Sequence, residues 1–273
     1  MMKVVFGTVV YPSATCYMED FFGSLDRQTY KDFRLMIISD NVPKDDIEAV
    51  IDKHNIEADI ITPERQMTPI ELRILMLKKA KEFKADVLVA GDIDDTFSEN
   101  RVEKLVEAFV KNPDAGFAYN QLTLPNKTEI MPPMPSTTDS VVDILELNYL
   151  GLSTTAIKVG QLTDELLESL GDCKTFVFDW YLYCRLLIFG MKGVLADEAA
   201  TYYRIYDNNF AGVPTATPEN IEKEIYIKKN HFDALSKYDD RYKGLFEAYN
   251  NGKYKVLTKD KYFWWGMTEV NKL

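Results

Sequence analysis

The sequence predicts an α/β fold in which helices flank a mainly parallel central sheet. Short apolar runs rich in β-branched residues alternate with helical stretches along the first hundred residues, which suits strands covered on both faces. These runs are residues 3–10, 33–39, 59–62 and 86–90. Strands that alternate with helices form right-handed crossovers, and ligands then bind beyond the carboxyl ends of the strands. The pattern is therefore that of a Rossmann-like sheet.

The remaining elements extend this alternation. Apolar spacing predicts helices over residues 18–25, 44–53, 69–83, 98–111 and 178–189. Further strands are expected over 116–122, 194–196 and 201–205, with a long proline-containing loop over 125–138. From Pro218 onward the pattern is helical and rich in lysine. We therefore expect a main domain over residues 1–215 and a C-terminal helical extension over residues 216–273 that packs against it.

Composition narrows the class of protein. The 273 residues are 46% hydrophobic and carry a net charge of −11, which disfavours nucleic acid as a partner. Only three apolar residues precede Gly7, too few for a signal peptide, and no apolar run of about 18 residues follows. Three cysteines and two histidines without metal-ligand spacing make a zinc site improbable. These features fit a reduced, cytoplasmic setting.

Three carboxylates follow the fourth apolar run directly. Asp92, Asp94 and Asp95 stand within four residues, and each negative charge disfavours ionisation of its neighbours. A divalent cation such as Mg²⁺ or Mn²⁺ removes this penalty, and it commonly combines one or two carboxylates with substrate phosphates. The same segment also fits a solvated turn in which Thr96 and Glu99 form a helix capping box. Local residues alone leave both interpretations open.

The aspartates allow a second chemistry. An apolar strand followed by Asp-x-Asp-x-Thr resembles the motif of haloacid-dehalogenase-like phosphatases, with Asp92 as nucleophile and Asp94 as acid. However, three strands precede the motif here, whereas the nucleophile in that family usually follows the first strand. The later pair Asp239 and Asp240 stands in a helical context rather than in a matching acid motif. The phosphatase is therefore the third alternative.

Five separated segments resemble family 2 glycosyltransferases in their order and spacing. They read VVFGTVVYPS with SLDRQTYKDFRLMIISDN, ELRILMLKKAKEFKADVLVAGDIDD, VFDWYLYCRLLIFGMKG and TYYRIYDNNFAG. The resemblance covers residues 3–212 and implies the GT-A fold of nucleotide-diphospho-sugar transferases. It further implies an inverting transfer of sugar from a nucleotide-diphosphate donor to a hydroxyl acceptor.

The resemblance assigns nucleotide-binding roles to residues near the strand ends. Asp40 is expected to contact the nucleoside base or ribose. Thr8, Val10 and Tyr11 are expected to line the same pocket, and Arg73 to lie near the phosphates or the acidic cluster.

The resemblance also assigns the chemistry. Asp92 is expected to meet the ribose or organise the site, and Asp94 to reach the metal, with Asp95 in the same cluster. Asp179 matches the general base, although an acidic residue at a helix start is often only a cap. Arg204 is expected to bind the diphosphate.

Two positions depart from the family pattern. Phe178 replaces an acidic residue that commonly precedes the base, and Tyr206 replaces a histidine that can help to hold the metal. A phenol with an ordinary pKa of about 10 is a poor Mg²⁺ ligand at neutral pH. Asp207 is one substitute, and a metal held by Asp94 and the diphosphate alone is another. These departures motivate the second hypothesis, a non-catalytic nucleotide-binding relative or complex subunit.

The acceptor side and the C-terminal region remain open. Met131 and Met134 suit either an adaptable apolar lid or a loop packed on the surface. Trp264 and Trp265 suit a peripheral membrane or homo-oligomer contact, or else an anchor for the C-terminal region. We expect a UDP-sugar donor, a glycan or lipid-linked acceptor and a role in surface polysaccharide synthesis, all three from the family resemblance alone.

Overall fold

The computed structural model describes residues 2–206 and 211–270. Eight helices are present in this part of the chain: α1 Met18–Asp26, α2 Lys44–Ile51, α3 Pro69–Glu82, α4 Arg101–Lys111, α5 Asp164–Ser169, α6 Phe178–Ile188, α7 Pro218–Leu235 and α8 Asp240–Asn250. The strands of these residues are β1 Val4–Val10, β2 Phe33–Ser39, β3 Ala58–Ile61, β4 Val87–Ala90, β5 Thr96–Phe97, β6 Phe117–Thr123, β7 Thr137–Thr138, β8 Thr155–Lys158, β9 Gly193–Tyr202, β10 Tyr254–Val256 and β11 Thr268–Val270.

One sheet of nine strands forms the centre of the molecule. Its main order is β3-β2-β1-β4-β8-β6-β9-β5, and β7 pairs with β9. The strands β3, β2, β1 and β4 are parallel, β8 is antiparallel to both neighbours, and β6 is parallel to β9. The predicted α/β fold class is confirmed, and the sheet is continuous in direction up to β4.

The sheet separates two apolar clusters. Alternation along β1 sends Val4 and Phe6 to one face and Val5 to the other, as expected for a pleated strand. Helices α1, α2 and α4 cover the first face, and α3, α6, α7 and α8 cover the second. The second cluster includes residues from both sides of the predicted boundary at residue 215, so the C-terminal region shares the core of the preceding residues.

Helix α3 begins where its sequence specifies. Thr68 Oγ1 accepts from the Glu71 N–H at 3.2 Å, and Glu71 Oε2 accepts from the Thr68 N–H at 2.8 Å. This capping box satisfies two backbone donors, and Pro69 loses nothing at the first helical position because its missing N–H would have no partner there. The cap fixes the first turns of α3, which carry Arg73.

The structure corrects two strand predictions. Residues 194–205 were expected to hold two short strands, but β9 runs unbroken from residue 193 to residue 202. Asp197 and Glu198 are exposed, Glu198 has a φ of 66°, and the pairing with β6 shifts register opposite them. Such a bulge resembles a loop in sequence although the strand continues. Strand β8 was not predicted at all.

The alternative of a helix capping box at Thr96 and Glu99 is also not what the structure has. Thr96 pairs with Tyr202 in β5, and α4 starts later, at Arg101. The predicted loop over 125–138 largely holds, but its end forms β7, and Met131 and Met134 are buried at 3% and 6% exposure. Packing in the core, rather than a mobile lid, therefore describes both methionines.

The C-terminal region packs around a buried ion pair. Lys228 Nζ lies 3.3 Å from Glu224 Oε1, and both side chains are fully buried. Glu224 accepts from the N–H groups of Met267 and Thr268, and Lys228 donates to Tyr249. These bonds join α7 to α8 and to the β10–β11 hairpin. Among the residues described, no helix is long and apolar enough to cross a membrane.

Candidate functional site

A cavity of about 420 Å³ opens beyond the end of β4. It lies where the parallel half of the sheet meets the mixed half, a place where open α/β sheets commonly bind ligands. Six predicted site residues line it together: Tyr11, Arg73, Asp92, Asp94, Asp95 and Asp179.

Asp92 is the first carboxylate after β4, and it faces Arg73. Arg73 Nη2 lies 3.6 Å from Asp92 Oδ1, and the Asp92 N–H donates to Ser153 Oγ at 3.2 Å. Burial raises the pKa of Asp92 to about 6, against the opposing effect of the Arg73 guanidinium. The negative charges of Asp94 and Asp179 add to the increase. At Asp92, burial therefore outweighs the favourable positive charge of Arg73.

Asp94 is held by a phenol. Tyr206 donates its hydroxyl proton to Asp94 Oδ2 at 2.6 Å, and its ring stacks on Tyr17 with centroids 5.8 Å apart. Burial and this carboxylate raise the pKa of Tyr206 well above its ordinary value, and burial near the cluster raises the pKa of Tyr11 to about 12. Both phenols therefore stay neutral, and Tyr206 acts as a hydrogen-bond donor. Asp207, the other predicted substitute, lies outside the described residues.

Asp95 lies deeper and is only 2% exposed. Its Oδ1 accepts from the Arg204 N–H at 3.1 Å, while Arg204 Nε donates to the Asp94 carbonyl at 2.9 Å. The Arg204 guanidinium also pairs with Asp20 at 2.8 Å and lies 4.6 Å above the Tyr17 ring. Arg204 is therefore fixed at the edge of the aspartate cluster, although it does not line the cavity itself.

A buried arginine that the sequence analysis missed supports the cluster from below. Arg101 is fully buried, and it donates to the Asn120 side chain and to the carbonyls of Ala90 and Ser153 at 2.7–2.9 Å. Burial lowers its pKa to about 9, whereas Asp95 acts in the opposite direction. Arg101 thus remains cationic at neutral pH and joins the end of β4 to the Ser153 segment.

Asp179 enters the cavity from the first turn of α6. Its Oδ1 accepts from the Trp180 N–H at 2.8 Å, and burial raises the pKa of Asp179 above its ordinary value. The positive charge of Arg73, which lines the same cavity, opposes this increase. A carboxylate with a raised pKa is suited to accept a proton near neutral pH.

Three predicted nucleotide contacts lie apart from this cavity. Asp40 borders a neighbouring depression of about 250 Å³ with Thr62, Arg65 and other residues at the ends of β2 and β3. The Val10 side chain is fully buried in the core, and its carbonyl accepts from the Asp40 N–H at 2.8 Å. Thr8 is 1% exposed within β1. Their predicted contacts with nucleotide remain predictions.

The C-terminal hairpin forms one wall of the cavity. Trp264 and Trp265 line it with exposures of 7% and 6%, so neither ring offers a surface for a membrane or a partner. The Trp264 Nε1–H donates to the Gly212 carbonyl at 3.2 Å, and Asn148 N–H donates to the Trp264 carbonyl at 2.8 Å. Trp265 has a φ of 56°, which is rare for a bulky residue and indicates local strain. The tryptophans therefore anchor the C-terminal region.

The chemistry of the cavity fits a divalent cation bound with phosphate. In residues 2–206 and 211–270, no group of three His, Cys, Asp or Glu side chains is arranged as a complete metal site. Mg²⁺ and Mn²⁺ often take only one or two carboxylates from the protein and obtain other ligands from phosphates and water. Asp94 and Asp92 both line the cavity and supply oxygen donors of that kind. Asp95 already accepts from Arg204.

Sequence patterns could not predict the structural roles of Arg101, Ser153 and the two tryptophans. Arg101 is the first residue of an amphipathic helix. The neighbouring sequence would be the same if this arginine were exposed, so it does not predict burial. Ser153 and Trp264 depend on contacts between residues that are 52 to 116 positions apart in the chain, which no local periodicity encodes. The Trp264–Trp265 pair itself was visible, but its location was not.

Comparisons with known proteins agree with this geometry. A model described as Glycosyl transferase family 2 matches residues 9–152, more than half of the chain. No curated protein matches the sequence. Among solved structures, Staphylococcus aureus TarS 1–349 in complex with UDP-GlcNAc has a TM-score of 0.60 and 13% identity, covering 96% of this chain and 99% of that one.

A second solved structure comes from another organism. The mannosyltransferase PcManGT from Pyrobaculum calidifontis, in complex with GDP-Man and Mn²⁺, has a TM-score of 0.58 and 12% identity, covering 90% of this chain and 68% of that one. At such low identities the likeness shows the fold alone. That fold is the GT-A fold implied by the motifs.

Proposed function

This chain belongs to glycosyl transferase family 2, and we propose that it transfers sugar from a nucleotide-diphosphate donor to a hydroxyl acceptor with inversion. The chain is a glycosyltransferase, so the phosphatase alternative and the non-catalytic alternative lose their support. The observation that carries the finer proposal is the convergence of Asp92, Asp94 and Asp179 on one cavity.

The donor side extends from the cavity toward Asp40. The depression at Asp40 and the cavity at Asp92 both lie at the carboxyl ends of the parallel strands. A nucleoside in the first and a diphosphate in the second follow this edge of the sheet. Arg73 and Arg204 bring positive charge to the diphosphate end. TarS was crystallised with UDP-GlcNAc and with UDP, which supports UDP as the first nucleotide to test.

We assign the cation to Asp94 and Asp92. PcManGT was crystallised with Mn²⁺, and the carboxylate donors here suit Mn²⁺ or Mg²⁺. When bound, the cation supplies positive charge that stabilises the departing nucleoside diphosphate. Tyr206 keeps Asp94 oriented by its hydrogen bond, and Arg101 keeps the end of β4 in place beneath it.

Asp179 serves as the general base. The acceptor hydroxyl gives its proton to the Asp179 carboxylate while its oxygen attacks the anomeric carbon. The bond from that carbon to the nucleoside diphosphate breaks on the opposite face, which inverts the configuration. The positive charge of Arg73 stabilises the negative charge that moves toward the diphosphate.

The first experiment is a thermal-shift screen. UDP, GDP, dTDP and CMP are each added with Mn²⁺, with Mg²⁺ or with EDTA, because a ligand that binds only the folded state raises its melting temperature. We expect a metal-dependent increase with a diphosphate, which Asp94→Ala abolishes. The exposed variant Asp240→Asn is the matched control and retains the increase. No increase with any nucleotide would contradict the proposed donor site.

The proposed biological role is supported by the family resemblance alone. We propose a glycan or lipid-linked acceptor in surface polysaccharide synthesis. Product analysis with the nucleotide sugar identified by the screen tests the acceptor class, and a reaction with water alone would argue against it.

A further inference from the structure

Two exposed aromatic rings contact each other beside the cavity, and one of them lines it. Phe176 lines the cavity, and it is 57% exposed. Its ring centroid lies 5.7 Å from that of Tyr226 on α7, and Tyr226 is 56% exposed. Large aromatic side chains normally bury most of their surface, so a pair this exposed needs an explanation. We call Phe176 and Tyr226 the aromatic pair.

The aromatic pair leads to the proposed base. Phe176 is three residues before Asp179, and both line the same cavity. Gly151 also lines this cavity, and an added Cβ there would lie 3.3 Å from Trp264 and 3.8 Å from Asp179 Oδ2. Asp179 and Phe176 thus share one cavity with Trp264, and Phe176 is an exposed member of its lining.

The surroundings of the pair favour a carbohydrate over a lipid surface. One helical turn away from Tyr226 on α7 are Glu222, Lys223, Lys229 and Asn230. A sugar ring presents a C–H face that packs on an aromatic ring and hydroxyl edges that bond to such polar groups. A helix that lies on a membrane needs a continuous apolar face, and the net charge of −11 repels anionic lipid.

We propose that the aromatic pair is a carbohydrate-binding platform that holds the acceptor glycan one sugar or more away from Asp179. This inference rests on the proposed function, because it takes Asp179 to be the end of the acceptor path. Phe176 stacks on a sugar ring at the mouth of the cavity, and Tyr226 extends the contact along α7. The acceptor is accordingly an oligosaccharide rather than a single sugar or a small alcohol.

A glycan array tests the platform directly. The wild-type protein, with UDP and Mn²⁺ present, is applied beside Phe176→Ala, Phe176→Leu and Phe176→Trp. We expect binding to at least one oligosaccharide, about tenfold weaker in Phe176→Ala. Phe176→Leu should be similarly weak because it is apolar without a ring, whereas Phe176→Trp should retain binding. Phe189→Ala, at the other end of α6 and 36% exposed, is the matched control and should bind as the wild type does.

The same variants separate this proposal from the proposed function. If the UDP thermal shift persists in the wild type while no glycan binds, or while Phe176→Ala binds as well as wild type, the platform is wrong and the donor site stands. If glycans bind through Phe176 without any nucleotide shift, the donor site is wrong. Binding to phosphatidylcholine–phosphatidylglycerol vesicles that Phe176→Ala abolishes would replace the carbohydrate with a membrane and overturn the inference.

Discussion

The two halves of the central sheet are held together by different forces. In the half that we propose to hold the donor, here the donor half, β3, β2, β1 and β4 pack almost entirely through apolar side chains. Ser39 and Thr8 are the buried polar exceptions within those strands. The other half, which we propose to face the acceptor and call the acceptor half, comprises β5 to β9 and the helices packed on them. The acceptor half and the C-terminal region bury many more polar groups, among them Arg101, Asn120, Thr155, Thr201, Glu224, Lys228 and His231. Apolar packing has no preferred direction, whereas each buried polar group requires a partner at a defined position.

The two halves therefore position their site residues in different ways. Parallel strands bring the donor residues to one edge by regular geometry alone. The acceptor side depends on particular hydrogen bonds, such as Arg101 to the Ser153 carbonyl and Glu224 to the N–H groups of residues 267 and 268. The predictions below test this difference, from the largest effect to the smallest.

Asp179→Asn should have the largest effect. Without a base, transfer should fall by about 10²–10⁴-fold, because that is the usual contribution of positioned proton transfer. The donor half is untouched, so the UDP thermal shift should persist. Initial rates of transfer and the thermal shift are measured on the same preparation. Turnover close to that of wild type would remove Asp179 from the mechanism.

Breaking the buried ion pair should affect stability. Lys228→Met leaves Glu224 buried without its counter-charge, and we expect a loss of about 3–5 kcal/mol in the free energy of unfolding. Urea denaturation measures the loss. Lys243→Met is the control, since its exposed pair with Asp240 should contribute less than about 0.5 kcal/mol. Equal values for the two variants would mean that polar contacts do not hold the C-terminal region.

His231 should make stability depend on pH. It is fully buried and stacks on Trp180 with centroids 3.8 Å apart, and burial lowers its pKa well below the ordinary value. The unfolded chain therefore binds a proton near pH 6.5 that the folded chain does not bind. As the pH falls below about 6.5, stability should decrease by up to about 1.4 kcal/mol per pH unit from this residue.

The effect of His231 is measured by comparing the pH dependence of stability in two proteins. Urea denaturation of wild type and His231→Phe at pH 7.5 and pH 5.5 gives the pH-dependent part separately from any packing change. Acidic residues contribute equally to both proteins. A pH dependence that His231→Phe leaves unchanged would show that the imidazole does not remain neutral in the fold.

Gly151→Ala should give the smallest effect and the most local one. The backbone of Gly151 has a φ of −88°, so alanine fits without strain, but its Cβ would lie 3.3 Å from Trp264. The ring must move by a few tenths of an ångström. We expect a several-fold increase in the acceptor KM and a change in stability below about 1 kcal/mol. A rise in the donor KM instead would contradict the assignment of Trp264 and Trp265 to the acceptor side of the cavity.

The donor half could be read from sequence because its signals are local. Apolar runs located β1, β2, β3 and β4 within a residue or two, and Asp92, Asp94 and Tyr11 follow from the ends of those strands. Strand β8 escaped because its four residues, TAIK, carry too little periodicity to distinguish a strand from a loop. The bulge at Glu198 concealed the continuity of β9.

The acceptor half was less readable for a physical reason. Arg101 and Trp264 acquire their roles from partners far away in the chain, and nothing in the neighbouring residues specifies those partners. Asp179 was the exception, since the helix motif around it resembled a known family. Val10 shows the opposite case. Its strand, β1, was predicted correctly, but the sequence did not reveal that its side chain is buried in the core.

The wall that Trp264 and Trp265 form is synthesised after the strands whose ends border the cavity. A chain emerges from the ribosome with its N-terminal residues first, so the donor half is complete while α7, α8 and the hairpin have yet to appear. The cavity, by contrast, is complete only after Trp264 and Trp265 have been synthesised and have packed beside Tyr203 and Asn148. The strand ends and the enclosing wall of one cavity are therefore made at different times.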